Sequence, residues 1–328
     1  MPDQLIFAME VFLNGLMAGV LYALVALGFV LIYKASGIFN YAQGVMALFA
    51  AMTLVGIMNG QVPFAHLINA TFGTHVYSFG WTVPALLAII LTMGVMVLLA
   101  WAVQRFVMRH LVGQEPIILF MATIGLAYFL EGVADLMWGS EIKTLDVGLP
   151  QGINLWIDET TYNIFGYGFF IDNLDIVATV IAALLVAALV AFSQYTKQGR
   201  AMRAVADDHQ AALSVGISLN FIWIMVWSVA GFVALVAGIM WGTKSGVQFS
   251  LSLIALKALP VLMLGGFTSI PGAIVGGLII GVGEKLFEFA VGPLVGGATE
   301  NWFAYVLALI FLVFRPQGLF GEKIIERV

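Results

Sequence analysis

Gly15-Leu16-Met17-Ala18-Gly19-Val20-Leu21-Tyr22-Ala23-Leu24-Val25-Ala26-Leu27-Gly28-Phe29-Val30-Leu31-Ile32-Tyr33-Lys34 carries no charged side chain before its closing lysine. It is the larger part of an apolar window over residues 6–33. A bilayer core about 30 Å thick takes ~20 such residues wound as one helix, because only a helix satisfies every amide within the segment. Working outward, similar windows lie near 44–60, 81–104, 117–138, 174–195, 220–242, 247–267, 272–291 and 302–314. Lys257 and Pro260 interrupt the window at 247–267, and the final window is short. The chain therefore reads as all-α, a polytopic membrane helical bundle of about 8–9 transmembrane segments with broken or re-entrant helices, over 1–328 as one transmembrane domain.

Composition agrees. Hydrophobic residues make up 62% of the 328 and charged residues 9%, against roughly 25% charged in a soluble domain. There is too little polar side chain to cover a water-facing globule. A net charge of −5 leaves no basic footprint for nucleic acid. The 36 glycines and 25 phenylalanines suit helices packed closely in lipid. The lack of cysteine excludes disulfides and thiolate metal sites.

The few charges give direction. Lys34, Arg105, Arg109, Lys197, Arg200, Arg203, Arg315, Lys323 and Arg327 fall in alternate loops and the C-terminal tail. The intervening loop at 139–173 holds Glu141, Asp146, Asp158, Glu159 and Asp172, with Lys143 its one base. The excess of bases on cytoplasmic loops then puts the N-terminus outside, the C-terminus in the cytoplasm, and an odd number of crossings between. Residues 139–173 become a periplasmic loop and 196–219 a cytoplasmic one. The outer loops at 61–80 and 139–173 are expected to hold short interfacial helices or hairpins. Met1-Pro2-Asp3-Gln4 lacks the positive start of a cleavable signal, so the first helix is expected to persist.

No catalytic constellation emerges. Gly242-Thr243-Lys244-Ser245 imitates the tail of a phosphate-binding loop but lacks its Gly-Lys pair. His66, His75, His110 and His209 form no pair four residues apart, so no metal is expected. A Gly-x-Ser-x-Gly nucleophile turn is missing. No catalytic residue and no cofactor is expected; if transport consumes ATP, another subunit hydrolyses it.

The loop Gly199-Arg200-Ala201-Met202-Arg203-Ala204-Val205-Ala206-Asp207-Asp208-His209-Gln210-Ala211-Ala212-Leu213-Ser214-Val215-Gly216 is alanine-rich and helix-forming. Asp207 and Gln210 have the spacing of a capping box. Two short helices, about 200–206 and 208–215, are expected to meet at Asp207 and stop at Gly216. A small rigid element with Arg200 and Arg203 on one face can dock into a partner and transmit force. An ordinary basic loop explains the arginines but not the paired helices.

This loop resembles the cytoplasmic coupling loop of permeases in the branched-chain amino-acid family of ABC importers. The opening Gly15–Gly44, including Ser36-Gly37-Ile38-Phe39-Asn40-Tyr41-Ala42-Gln43-Gly44, is similar to that family's opening. So are Leu256-Lys257-Ala258-Leu259, Leu264-Gly265-Gly266, Pro271-Gly272-Ala273 and Gly276-Gly277. The three regions span nearly the whole chain in the family's order, and the chain looks like the shorter of its two permease types. His209 departs from the pattern, where the family often has proline. The resemblance implies a bacterial inner-membrane location, a second homologous permease subunit, two cytoplasmic ATP-binding subunits and a periplasmic substrate-binding protein. It carries Gly199, Arg200, Arg203, Asp207, Asp208 and Gly216 over to the coupling role.

Candidate pathway residues lie at breaks in the apolar pattern. Non-helical backbone at membrane depth persists only where protein or water satisfies it. The polar stretch 36–44 is such a break, and Gly265-Gly266-Phe267-Thr268-Ser269-Ile270-Pro271-Gly272 is its counterpart in the second half. Paired interruptions point to a substrate route. Asn40, Gln43 and Gly44 are taken as pathway candidates, whereas Thr268 and Ser269 read better as a turn. Thr123 and Gly125 join the candidates because a small, notched helix face leaves room beside it. Intramembrane charges usually face a bundle interior, so Lys257 is expected to pair with Glu131, Asp135 or Glu10. The Gly15-x-x-x-Gly19, Gly272-x-x-x-Gly276 and Gly277-x-x-x-Gly281 spacings allow close helix contact without naming a partner. Permeases for urea or short amides carry similar motifs. A stand-alone secondary transporter or channel is the alternative from another mechanistic class.

Overall fold

The computed structural model describes residues 2–73, 75–111, 114–207 and 209–321. Among them the chain is helical: α1 Pro2–Ser36, α2 Gln43–Met58, α3 Ala65–Phe72, α4 Ala85–Phe106, α5 Pro116–Trp138, α6 Leu155–Phe165, α7 Asn173–Tyr195, α8 Lys197–Asp207, α9 His209–Ser214, α10 Leu219–Ser245, α11 Ile254–Gly265, α12 Ile270–Val295 and α13 Phe303–Phe314. Short 3₁₀ turns at Met108–His110, Phe249–Leu253 and Thr299–Asn301 complete the set. Among the described residues, five helices are long and apolar enough to cross a bilayer: Gln4–Ser36, Ala85–His110, Pro116–Trp138, Asn173–Tyr195 and Leu219–Ser245. Phe249–Gly265 and Ile270–Val295 pass that test together, bent by 114°, which makes six if the bent pair is one span. The apolar helices Gln43–Met58 and Phe303–Phe314 are shorter.

Local chemistry sets the boundaries. Pro116 opens α5, where its missing N–H costs nothing. Ser218 caps α10 by accepting from Phe221 N at 3.2 Å, and Ser269 caps α12 by accepting from Gly272 N at 3.0 Å. The 265–272 interruption is thus a capped helix start, the turn reading of Thr268 and Ser269. The loops at 61–80 and 139–173 do contain short helices. α3 lies between residues 61 and 78, which form an antiparallel bridge, and α6 lies between the similarly bridged Ile153 and Asp172.

The chain divides into two compact units. The first contains residues 1–30, 149–190 and 256–328. Within it α1 and α12 run antiparallel through their glycines: Gly15 faces Gly281 and Val282, and Gly19 faces Gly277 and Leu278. Gly272 and Gly276 instead meet the end of α11, at Gly265 and Val261. The glycine spacings therefore serve two different helix contacts. Leu319 N and Phe320 N donate to the carbonyls of Leu264 and Gly265, at 2.8 and 3.1 Å, tying the tail to the end of α11.

The second unit contains residues 31–148 and 191–255. Here α10 packs on α2 and α4, and α2 packs on α5. Gly238 lets α10 approach the Ala47 backbone of α2, and Gly56 accepts the flat face of Trp138 from α5. One end is defined by Val83 N bonded to Met58 O, Phe64 N to Met137 O, and a two-way bridge between Lys143 and Val247. At the other end Gln104 Nε2 donates to Asn220 Oδ1 at 3.4 Å, joining the end of α4 to the start of α10. Arg105 and Arg109 follow at that end, and α8 and α9 lead there into α10.

Candidate functional site

The polar break between α1 and α2 is a closed knot. Asn40, Gln43 and Thr123 are at most 1% exposed. Asn40 Oδ1 accepts from Ala42 N at 3.1 Å, and its Nδ2 reaches Gln43 Oε1 at 3.3 Å and Met46 Sδ at 3.5 Å. Gln43 Nε2 donates to the carbonyl of Ala230 on α10 at 3.2 Å. Thr123 Oγ1, from α5, accepts from Tyr41 N at 3.1 Å. The carbonyls of Phe39 and Phe120 stand 3.0 and 2.8 Å away to take its proton. Side chains from α5 and from the break thereby supply the partners that the non-helical backbone at 37–42 lacks. Gly44 is buried against the 3₁₀ turn, with the Ser252 carbonyl and Ala255 Cβ where its own Cβ would stand.

Four of the five sequence-derived pathway candidates, Asn40, Gln43, Gly44 and Thr123, therefore meet in one buried joint. Gly125 does not join them. It is exposed, with open space where a Cβ would go, because residues two apart on a helix point to different faces.

At the basic end, α8 and α9 form the expected pair of short helices, ending at Gly216 with φ +84°. Thr196 Oγ1 accepts from Gly199 N at 2.9 Å and donates to Phe192 O at 2.6 Å, locking the α7–α8 corner. Gly199 is buried against the carbonyls of Phe192 and Ser193, so no Cβ fits there. Arg203 donates its guanidinium to the carbonyl of Ser193 in the last turn of α7. A cation there also complements the negative helix end. Gly199 and Arg203 consequently have partners inside the chain, while Arg200 and Asp207 are exposed. Asp208 lies outside the described residues.

The first unit holds a charge network that the sequence reading missed. Lys257 Nζ on α11 pairs with Glu284 on α12 and donates to Glu300 O at 2.6 Å. This corrects the expected pairing of Lys257 with Glu131, Asp135 or Glu10; Glu10 accepts instead from Phe170 N at 3.1 Å. Lys285 Nζ takes both oxygens of Glu300, at 2.8 and 3.0 Å. Glu288 accepts from Ala298 N, Thr299 N and Glu300 N, capping the turn that delivers Glu300. Three charged residues, Glu284, Lys285 and Glu288, interrupt the apolar run of α12. Charge in such a run marks an interior or water-lined position, and that signal was legible before the fold was known.

The described residues contain no group of three or more His, Asp or Glu side chains arranged to hold a metal. The chain matches, over residues 11–315, the family described as branched-chain amino acid transport system / permease component. It is 27% identical to the high-affinity branched-chain amino acid transport system permease protein LivH of Escherichia coli, covering 100% of both chains. It is 30% identical to the corresponding protein BraD of Pseudomonas aeruginosa, over 96% of each. Among solved structures, PsaBC from Streptococcus pneumoniae in complex with Fab aligns over 94% of this chain and 92% of its own, at 14% identity and a TM-score of 0.42. With a buried polar joint in an apolar bundle and a short helix pair at its basic end, and with a match running from Val11 to Arg315, the chain belongs to the family of branched-chain amino-acid transport permeases.

Proposed function

We propose that this chain is one of two homologous permease subunits of an ATP-driven importer in the bacterial inner membrane. It passes branched-chain or related amino acids from a periplasmic binding protein to the cytoplasm. Eight or nine segments cross the membrane, with the N-terminus outside and the loop at 196–219 inside, where two ATP-binding subunits grip it. The observation that carries the reading is α8–α9, a short polar helix pair with Arg200 and Asp207 exposed. A polar element of this size contributes little to a membrane bundle, whereas it suits a socket in a soluble motor.

Gly199, Arg203 and Gly216 act here by shaping the pair, and Arg200, Asp207 and Asp208 by meeting the partner. The knot at Asn40, Gln43, Gly44 and Thr123 is the joint on which helices beside the route move. Gly125 stands apart from it, on an open helix face.

The test is reconstitution of the complex purified from native membrane, with uptake of radiolabelled leucine measured against ATP and loaded binding protein. Uptake that needs both supports the reading. Leucine flux through this chain alone, indifferent to ATP, establishes a stand-alone carrier instead, and ATP-driven uptake of urea without leucine replaces the substrate.

A further inference from the structure

A cavity of about 820 Å³ opens at the end of the second unit opposite α8–α9. Its size falls within the ~300–1,000 Å³ typical of small-molecule sites. Its walls come from the α2–α3 connection, α3, the end of α5 and the chain through Lys143. Lys143 is half-buried, and its Nζ donates to Gln61 Oε1 at 2.7 Å and to Trp138 O at 2.6 Å. Both acceptors are neutral. An ammonium has three N–H donors, so one donor remains for a ligand, with the Glu141 carboxylate near enough to act on the charge. Burial pushes the Lys143 ammonium below the usual lysine range, against the raising effect of Glu141, as expected for a cation whose solvation is poorly replaced. Asp135 and Glu141, both exposed, line the same cavity, and Val62 and Leu136 add apolar wall.

We propose that this cavity binds a free α-amino acid, its carboxylate on Lys143 and its ammonium on Asp135, before the molecule enters the helices. The proposal rests on the amino-acid reading above and deepens it. Opposite charges in one cavity complement a zwitterion and offer nothing comparable to a neutral urea or amide. An amino acid fills only part of the volume, which suits a loosely holding waiting site.

The test uses the full chain in lipid nanodiscs, with binding of leucine, leucinamide, 4-methylpentanoate and urea followed by saturation-transfer NMR. Leucine is expected to bind, and leucinamide and 4-methylpentanoate, each lacking one charge, to bind about tenfold more weakly. Asp135→Asn should weaken leucine about tenfold and leave 4-methylpentanoate unchanged. Its exposed position makes it the decisive variant should Lys143→Met disturb the loop. Unchanged leucine binding in Asp135→Asn overturns the site, as does leucine binding no better than urea. So does absence of leucine binding to a chain that still supports leucine uptake in the complex, which leaves the transport reading intact. A carboxylate on the binding protein's surface is the other source of this chemistry. Loss of binding-protein capture in Lys143→Met, without competition by leucine, assigns the cavity to it and overturns the proposal. Uptake of urea and not leucine by the complex removes the substrate reading itself.

Discussion

Gly19 and Gly277 meet backbone to backbone: a Cβ on either would stand 2.6 Å from the other's carbonyl oxygen. The contact is reciprocal, and Gly15 and Gly281 repeat it one turn away. In lipid, where burying apolar area between helices gains little, such close backbone approach is what holds two helices together.

Gly277→Val should therefore cost about 1–3 kcal/mol, since a carbonyl cannot move aside as a side chain can. Gly125→Ala is the matched control, because its Cβ meets open space and alanine is the better helix former. Thermal unfolding in detergent should show a lowered midpoint for the first and an equal or higher midpoint for the second. Equal midpoints in both would dissolve the assigned α1–α12 contact.

Lys257→Met leaves the Glu284 carboxylate, 1% exposed, without its cation. Breaking a buried pair from one side costs about 3–5 kcal/mol, whereas replacing both partners is often close to neutral. The double variant Lys257→Met with Glu284→Met should consequently be more stable than Lys257→Met alone, as read by thermal midpoint. A double variant as unstable as the single would mean that the network is held by other contacts.

Thr123→Val keeps the shape and removes one of the two acceptors of Tyr41 N, which retains the Phe39 carbonyl at 3.2 Å. Losing one such hydrogen bond costs about 0.5–1.5 kcal/mol. The variant should unfold earlier, and its transport should fall at temperatures where the wild type still works. Wild-type stability combined with altered substrate preference would instead make Thr123 a substrate contact.

Arg200 and Arg203 should separate. Arg203→Ala removes a charge-assisted bond to Ser193 O and should cost about 1 kcal/mol of stability, discounted for its partial exposure. Arg200→Glu, at an exposed position, should leave the thermal midpoint within about 0.5 kcal/mol of wild type. It should nonetheless abolish the ATPase stimulation that loaded binding protein produces. Normal stimulation in Arg200→Glu would take that residue out of the coupling surface.

Much of this molecule was legible one residue at a time. An apolar run in lipid must close its own hydrogen bonds, so the windows announced helices, and the alanines of the 200–215 loop announced two more. Thr268 and Ser269 read as a turn, and the structure adds that Ser269 there caps the start of α12 by local chemistry. Partners are a different kind of fact. The small-residue spacings licensed contact, yet nothing local says that Gly19 seeks Gly277 while Gly276 seeks Val261. Lys257 shows the same limit. Its partner Glu284 is 27 residues away on another helix, and the sequence offered Glu131, Asp135 and Glu10 on equal terms. Asn40, Gln43 and Thr123 were picked out as polar groups at membrane depth, but the hydrogen bonds that join them to their neighbours exist only once α5 and α10 stand beside the break. By itself the sequence determined which backbone is helical, because that depends on desolvating each segment alone. Tertiary structure decided which polar group answers which, because hydrogen bonds and charge pairs are fixed by distances that only packing creates.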